Sequence, residues 1–243
     1  MAGRTMGIFA KLHIWLAWLA GVPILMWAIT GLVMVAKPID ETRGTDRILS
    51  QEKEMLPGGN LAPIVVEGAD RPVELRTRMQ GNSPVTSAIY ADGKVERYWA
   101  RSGVKVPPLD VDQARTLVAM QVKGGDKAAG VTYFSEKEPP SDFRRAIPVW
   151  RVELADGTYV YVGRDSGEIE AVRTRWWRLY DFMWGLHIMD LQTREKIHSP
   201  VIVAFASLAI VFSLLGTVLM FRNRRNRAKA PASVGTETAT PLP

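Results

Sequence analysis

The chain has 243 residues, 47% of them hydrophobic, and its 31 lysine and arginine residues against 25 acidic ones give a formal net charge of +6. It contains no cysteine, which excludes disulfides, thiolate-held metal centres and thioether-attached cofactors. No nucleophile elbow, phosphate-cradling glycine loop or metalloprotease helix occurs in the sequence, so nothing in it supports a hydrolase or a kinase.

Two long apolar segments lie towards the two ends of the chain. Residues 12–36 form a run of 25 with no formal charge besides His13, and residues 201–221 form a run of 21 with none. Each exceeds the roughly 20 residues that a helix needs to span a hydrocarbon core. The first run is too long for a signal-peptide core and lacks a cleavage site, so it is expected to stay as an anchor. The sequence therefore predicts transmembrane helices at 12–36 and 200–221.

Basic residues flank both predicted spans. Arg4 and Lys11 precede the first span, and five arginine and lysine residues lie among the eight that follow the second. Because positive flanks stay in the cytoplasm, we predict a cytoplasmic N-terminus at 1–11, a basic, disordered cytoplasmic tail at 222–243 and export of residues 37–199. The basic run is short and juxtamembrane, which favours contact with the lipid bilayer over binding of nucleic acid.

The segment between the spans consists of short alternating runs, and part of it occurs twice. Val149–Leu154 predicts a strand, and turns separate it from two more at 158–162 and 168–172. Two turns recur at an offset of 64 residues. The pairs are Ala91-Asp92-Gly93 with Ala155-Asp156-Gly157, and Arg101-Ser102-Gly103 with Asp165-Ser166-Gly167.

A helix precedes the strands in both predicted copies. Asp110 and Gln113 match a capping box at the start of a helix predicted over 110–120. The same offset maps this helix onto another, expected at 45–55. We therefore predict an α+β exported domain of two helix-plus-antiparallel-sheet repeats, at 37–106 and 107–172.

The second copy and its flanks resemble a known family. Leu109–Arg115 and the turn Gly163–Ile169 resemble a PepSY domain, in which a helix packs on an antiparallel sheet. Lys11–Leu16 and Thr30-Gly31 are similar to the start and end of the first helix in PepSY-associated transmembrane proteins, and Asp181–His187 resembles the segment that leads into their next span. The resemblance covers roughly residues 10–221, and it implies two PepSY-like repeats held by two transmembrane helices.

The resemblance also implies a location and two alternative functions. Larger members of the family have four spans, some carry a fused reductase, and they include haem-dependent reductases of iron–siderophore complexes. This implies a protein of the bacterial inner membrane that binds haem b and transfers electrons to an iron–siderophore acceptor; if it is an enzyme, it is a component of a haem-dependent membrane reductase. The alternative is a non-redox, membrane-tethered PepSY module without cofactor, which binds or regulates a periplasmic protein partner.

The three histidines, His13, His187 and His198, are the candidate cofactor-binding residues. All lie at or near a predicted membrane boundary, where an imidazole is costly without a purpose. In a chain without cysteine, histidine is the most plausible axial ligand of haem iron, and no other metal site is predicted. The alternative is an interfacial anchor, because residues 173–199 are predicted to form an aromatic interfacial helix and turn.

Spacing restricts how these histidines could pair. His13 lies 23 residues before Ala36, so about 35 Å of helix separates it from the outer face, where His187 and His198 lie. His13 therefore cannot share an iron with either of them within one chain. His187 and His198, about 16 Å apart in a continuous helix, could share one only if the chain folds back between them, a break that Ser199-Pro200 permits. A parallel homodimer, or another membrane subunit, would supply the missing ligands.

Overall fold

The computed structural model of the protein describes residues 2–49, 54–59, 61 and 71–227. These residues form two units, Met1–Met34 with Phe182–Pro243, and Val35–Asp181. The helices are α1 (Ala2–Val35), α2 (Ile39–Arg43), α3 (Val111–Gln121), α4 (Arg175–His187) and α5 (Pro200–Arg227). The strands are β1 (Glu74–Gln80), β2 (Ser83–Ile89), β3 (Val95–Trp99), β4 (Ala128–Phe134), β5 (Val149–Leu154), β6 (Tyr159–Gly163) and β7 (Ile169–Arg173).

The first unit is built on the two long helices α1 and α5. Within them, Lys11–Val35 and Pro200–Arg222 are long and apolar enough to cross a membrane. Only 11% of the first segment's most apolar stretch and none of the second's is buried, so most of their apolar side chains face outwards, as lipid contact requires. The two helices lie where the apolar runs predict them. The predicted tail beyond Arg227 lies outside the described residues.

The second unit contains two antiparallel sheets, with strand orders β1-β2-β3 and β4-β5-β6-β7. Asp110 accepts the backbone N–H of Gln113, whose side chain in turn accepts the backbone N–H of Asp110, so the predicted capping box starts α3. Buried Ala114 and Val118 of α3 pack on Val152 and on neighbouring apolar residues of the four-stranded sheet. Val160 and Val162 of β6 share this cluster, whereas Tyr161, on the opposite face of the strand, is buried in a second cluster with Phe143 and Val149.

The turns that recur in the sequence have matching backbones. Gly93 and Gly157 have φ values of 87° and 76°, and Gly103 and Gly167 have values of 68° and 67°. This left-handed region is open to glycine at little cost, which explains why both turns of each pair contain one. The recurring turns thus share a left-handed glycine in both segments.

The helix predicted at 45–55 is wrong for the residues that the structure describes. Thr45–Arg47 forms only a 3-10 turn. Directly after it, Ile48 is extended and forms an antiparallel bridge with Val122, at the end of α3. Pairing with a distant segment therefore overrides the local helical composition. Residues 50–53 of the predicted helix lie outside the described part of the chain.

A buried arginine joins the two sheets. Arg97 of β3 is 6% exposed, and its Nε donates to the carbonyl of Asp165, in the turn between β6 and β7, at 2.8 Å. Its other nitrogens donate to the side chain of Gln80 at 3.2 Å and to the carbonyl of Pro107 at 3.1 Å. Because all three acceptors are protein atoms, the buried charge is solvated by the fold itself.

Candidate functional site

His187 is held by two residues of α1. Thr30 Oγ1 lies 2.9 Å from His187 Nδ1, and the indole N–H of Trp27 donates to the main-chain carbonyl of His187 at 2.9 Å. Trp27 and Thr30 are three residues apart and therefore lie on one face of α1. Helix α1 thus holds both the side chain and the main chain of this histidine.

The chain leaves α4 through a turn that Asp190 organises. Its carboxylate accepts the backbone N–H groups of Thr193, Glu195 and Lys196 at 3.1, 3.3 and 3.1 Å, and also the hydroxyl of Thr193. These hydrogen bonds, that of the Thr193 hydroxyl above all, lower the pKa of Asp190 despite some desolvation. The turn therefore has a defined shape at neutral pH.

His198 lies beyond this turn and is exposed. Because α4 ends at His187, no continuous helix joins the two residues, and the 16 Å expected for a continuous helix does not apply. Within residues 2–49, 54–59, 61 and 71–227, no group of three or more histidine, aspartate or glutamate side chains converges in a way that could hold a metal ion.

His13 lies in the contact between α1 and α5. Its ring stacks on Phe212, with centroids 4.6 Å apart and planes within 1° of parallel. A Cβ atom added at Gly216 would lie 3.0 Å from His13 Cε1, so the absence of a side chain there makes room for the imidazole. The Nδ1 atom of His13 is buried and has no hydrogen-bond partner among the described residues.

The structure does not bring His13 and His187 together. His187 contacts α1 at Thr30, 17 residues after His13 in the same helix, which is about 26 Å along the axis. The 35 Å expected from the sequence is the distance from His13 to the end of the helix. The distance from His13 to His187 is shorter because His187 lies beside Thr30, five residues before α1 ends at Val35. The separation still excludes a shared iron within one chain, since two axial nitrogens lie about 4 Å apart.

Three contact residues, Trp27, Phe212 and Gly216, were not identified from the sequence as parts of the site. Trp27 is one turn before the Thr30-Gly31 motif, and the spacing alone could have placed it on the same face. Phe212 and Gly216 are four residues apart on one face of α5, but nothing in the sequence showed that His13 would meet them.

The donor set suits a non-covalently held haem. Imidazole is the common axial ligand of b-type haem iron, and His187 is anchored through Nδ1, which leaves Nε2 for a metal. The partnerless nitrogen of His13 is a second donor in an apolar setting, where an unmade hydrogen bond costs about 1–3 kcal/mol. Both residues fit the group.

The second unit has a charged cavity of its own, with a volume of about 270 Å³. Arg47 lines it and donates to two other lining residues, Asp156 at 2.6 Å and Thr158 at 2.9 Å. The Lys37 ammonium lies 5.3 Å from the ring centre of Trp176, which also lines the cavity. Acidic and basic side chains are both present, so the cavity suits a polar ligand or a peptide side chain.

Comparison with known proteins identifies the family. A family model, the PepSY-associated TM region, matches residues 10–238. No curated protein and no solved structure gives a significant match. The matched region includes both apolar helices, the α+β unit between them and all three histidines. The chain is therefore a membrane protein that belongs to the PepSY-associated transmembrane family.

Proposed function

We propose that this protein binds haem b through its membrane helices and transfers electrons across the bilayer to an iron acceptor. The observation that carries the proposal is a pair of imidazoles at two levels along α1. His187 of α4 is anchored through Nδ1 beside Thr30, and His13 of α1 has a buried nitrogen with no partner among the described residues. Ionisable residues in membrane helices are expensive and usually functional.

Bound haem supplies one-electron chemistry, at a potential that its axial ligands and surroundings adjust. The chain supplies the rest. His187 offers a ligand whose orientation α1 fixes, and His13 offers one at a second depth, where the contact between α1 and α5 excludes water. Two ligand positions about 26 Å apart along α1 suit transfer between the two membrane surfaces.

A second imidazole for each iron would come from another chain. A homodimer or another membrane subunit supplies it, because His13 and His187 are too far apart to pair within the chain. This arrangement gives no ligand role to His198, whose exposed imidazole lies beyond the turn after α4. If the two copies meet beside His187, the ring of His13 can keep its stack on Phe212.

The basic flanks favour an orientation with both termini in the cytoplasm of a bacterial inner membrane and residues 37–199 in the periplasm. In this orientation His187 lies towards the outer surface and the α+β unit faces the periplasm. An iron–siderophore complex is then the acceptor class that the family resemblance favours.

One observation favours a second function, a non-redox PepSY module without cofactor that binds a periplasmic protein. The cavity lined by Arg47, Asp156 and Trp176 belongs to the α+β unit and contains no histidine. Its mixed charges suit a peptide segment, and such binding needs no cofactor. The haem function predicts that the purified protein absorbs visible light, and the binding module predicts that it does not.

Absorbance of histidine variants tests the proposal. The full-length protein, purified in mild detergent, is expected to show a Soret band, and His187→Ala and His13→Ala are each expected to remove part of it. His198→Ala is the matched control, because this exposed histidine is not anchored by α1; its spectrum should equal that of the parent. A colourless parent protein overturns the haem proposal and supports the binding module.

A further inference from the structure

We infer that Thr30 is a positioning residue that keeps the proton of the neutral His187 imidazole on Nδ1, so that Nε2 presents a lone pair. The use of this lone pair for iron rests on the function proposed above. The protonation pattern itself does not, because it follows from the hydrogen bonds of the protein alone.

The hydroxyl of Thr30 has one proton to give and can accept a second hydrogen bond. Its Oγ1 lies 2.8 Å from the carbonyl of Met26 and 3.2 Å from that of Trp27, within α1. It also lies 2.9 Å from His187 Nδ1. The proton can therefore go either to a helix carbonyl or to the imidazole.

The two arrangements differ in the number of hydrogen bonds that the Thr30 hydroxyl makes. If Thr30 donates to Met26, its oxygen accepts Nδ1–H of His187, and two hydrogen bonds form. If Thr30 donates to Nδ1, that imidazole bond is the only one the hydroxyl makes. Thr30 is 2% exposed, so water cannot replace the missing bond. The arrangement with two bonds places the proton on Nδ1.

The second contact of α1 keeps the ring in place. The last residue of a helix has a main-chain carbonyl without a partner in its own helix, and Trp27 donates to this carbonyl of His187. Gly31 lies beside the ring edge, where an added Cβ would be 3.7 Å from Cε1. Main chain and Nδ1 are thus both held, and among the described residues no hydrogen bond engages Nε2.

This arrangement has consequences for a metal. A hydrogen bond from the far nitrogen of a ligating histidine orients the ring and raises its basicity, and its loss typically costs about 10- to 100-fold in metal affinity. A more basic imidazole stabilises oxidised iron. Removing the Thr30 hydroxyl should therefore weaken haem binding at His187 and raise the reduction potential of that haem.

Nitrogen NMR of the full-length, histidine-labelled protein without haem tests the inference. Spectra in lipid nanodiscs at about pH 8.5, where histidines are ordinarily neutral, distinguish the two tautomers of His187. We expect the Nδ1–H form in the parent and in Thr30→Ser, and a shift towards the Nε2–H form in Thr30→Val, which has nearly the same shape. Thr217→Val is the matched control, because Thr217 also donates to a carbonyl of its own helix, that of Ser213, at 2.8 Å, but forms no hydrogen bond with a histidine among the described residues.

An Nε2–H tautomer in the parent protein overturns the inference, and so does a Thr30→Val spectrum equal to that of the parent. Haem titration tests the consequence for metal binding separately. We expect the affinity for haem to fall about 10- to 100-fold in Thr30→Val and to be retained in Thr30→Ser. Failure of the parent to bind haem, together with the Nδ1–H form, contradicts the proposed function and supports the positioning role.

Discussion

The imidazole of His13 in α1 and the ring of Phe212 in α5 stack in parallel, with centroids 4.6 Å apart. His13 thus points towards the second helix of its own chain. The symmetric pairing expected from the sequence, in which His13 meets its mate in a second copy, would need this stack to open. His187 has no such stacked partner in the described residues, so it is the better placed of the two for a ligand shared between chains.

The glycines beside the two histidines provide a paired test. Gly216→Ala would put a Cβ 3.0 Å from His13 Cε1, which is tighter than ordinary contact, so the ring of His13 must move. Gly31→Ala would put a Cβ 3.7 Å from His187 Cε1, an ordinary contact. We expect Gly216→Ala to lower the absorbance that His13→Ala also removes, and Gly31→Ala to leave the spectrum unchanged. Equal effects of the two substitutions would contradict the placement of His13.

The turn after α3 contains a glycine, Gly125, that no other residue can replace without moving the backbone. A Cβ at Gly125 would overlap the carbonyl of Val118, whereas a Cβ at Gly130 would meet no atom within 4 Å. Gly125→Ala should therefore destabilise the α+β unit by roughly 2 kcal/mol or more, and Gly130→Ala by much less. Thermal unfolding followed by circular dichroism measures the difference, and similar Tm values for the two variants would count against the described turn.

The capping box of α3 should contribute measurably to stability. Asp110→Ala removes the acceptor for the N–H of Gln113, 2.8 Å away, and is expected to cost about 1 kcal/mol. Asp112→Ala is the control, since this acidic residue lies in the same first turn but makes no cap. Urea unfolding should give a lower midpoint for the first variant only; equal midpoints would show that the cap is not formed.

Glu96 should make the stability of the α+β unit depend on pH. Hydrogen bonds from Lys105 and Tyr98, with further bonds from Lys94 and Tyr90, outweigh desolvation and lower the pKa of Glu96 to about 2. Because the folded-state pKa is below the unfolded value near 4.5, the stabilisation is fully present above about pH 5 and is lost as the pH falls towards 2.

Glu96→Gln should therefore lower Tm at pH 7 and flatten its decrease between about pH 5 and 2. Glu74→Gln is the control, because the side chain of Glu74 is 48% exposed in its pair with Arg76 and such surface pairs contribute little. An unchanged pH profile in Glu96→Gln would show that the carboxylate does not keep these partners in solution.

Local patterns predicted much of the fold. The apolar runs indicate α1 and α5, the capping box indicates α3, and alternation indicates β5–β7 within about one residue, because each signal depends on neighbours in sequence. The features that the sequence did not predict depend on residues that are far apart in the chain. Ile48 pairs with Val122, and Arg97 donates to Asp165, across 74 and 68 residues respectively. The contacts of the candidate site are of the same kind, since Thr30 and His187 are 157 residues apart.

The central claim is that the helices of this family member hold haem, and the reduced-minus-oxidised absorbance spectrum of the intact protein in membranes tests it most directly. We predict a Soret difference and a split α-band that copurify with the protein, as two histidine environments at different depths would produce. A flat difference spectrum in membranes supplied with haem would contradict the account.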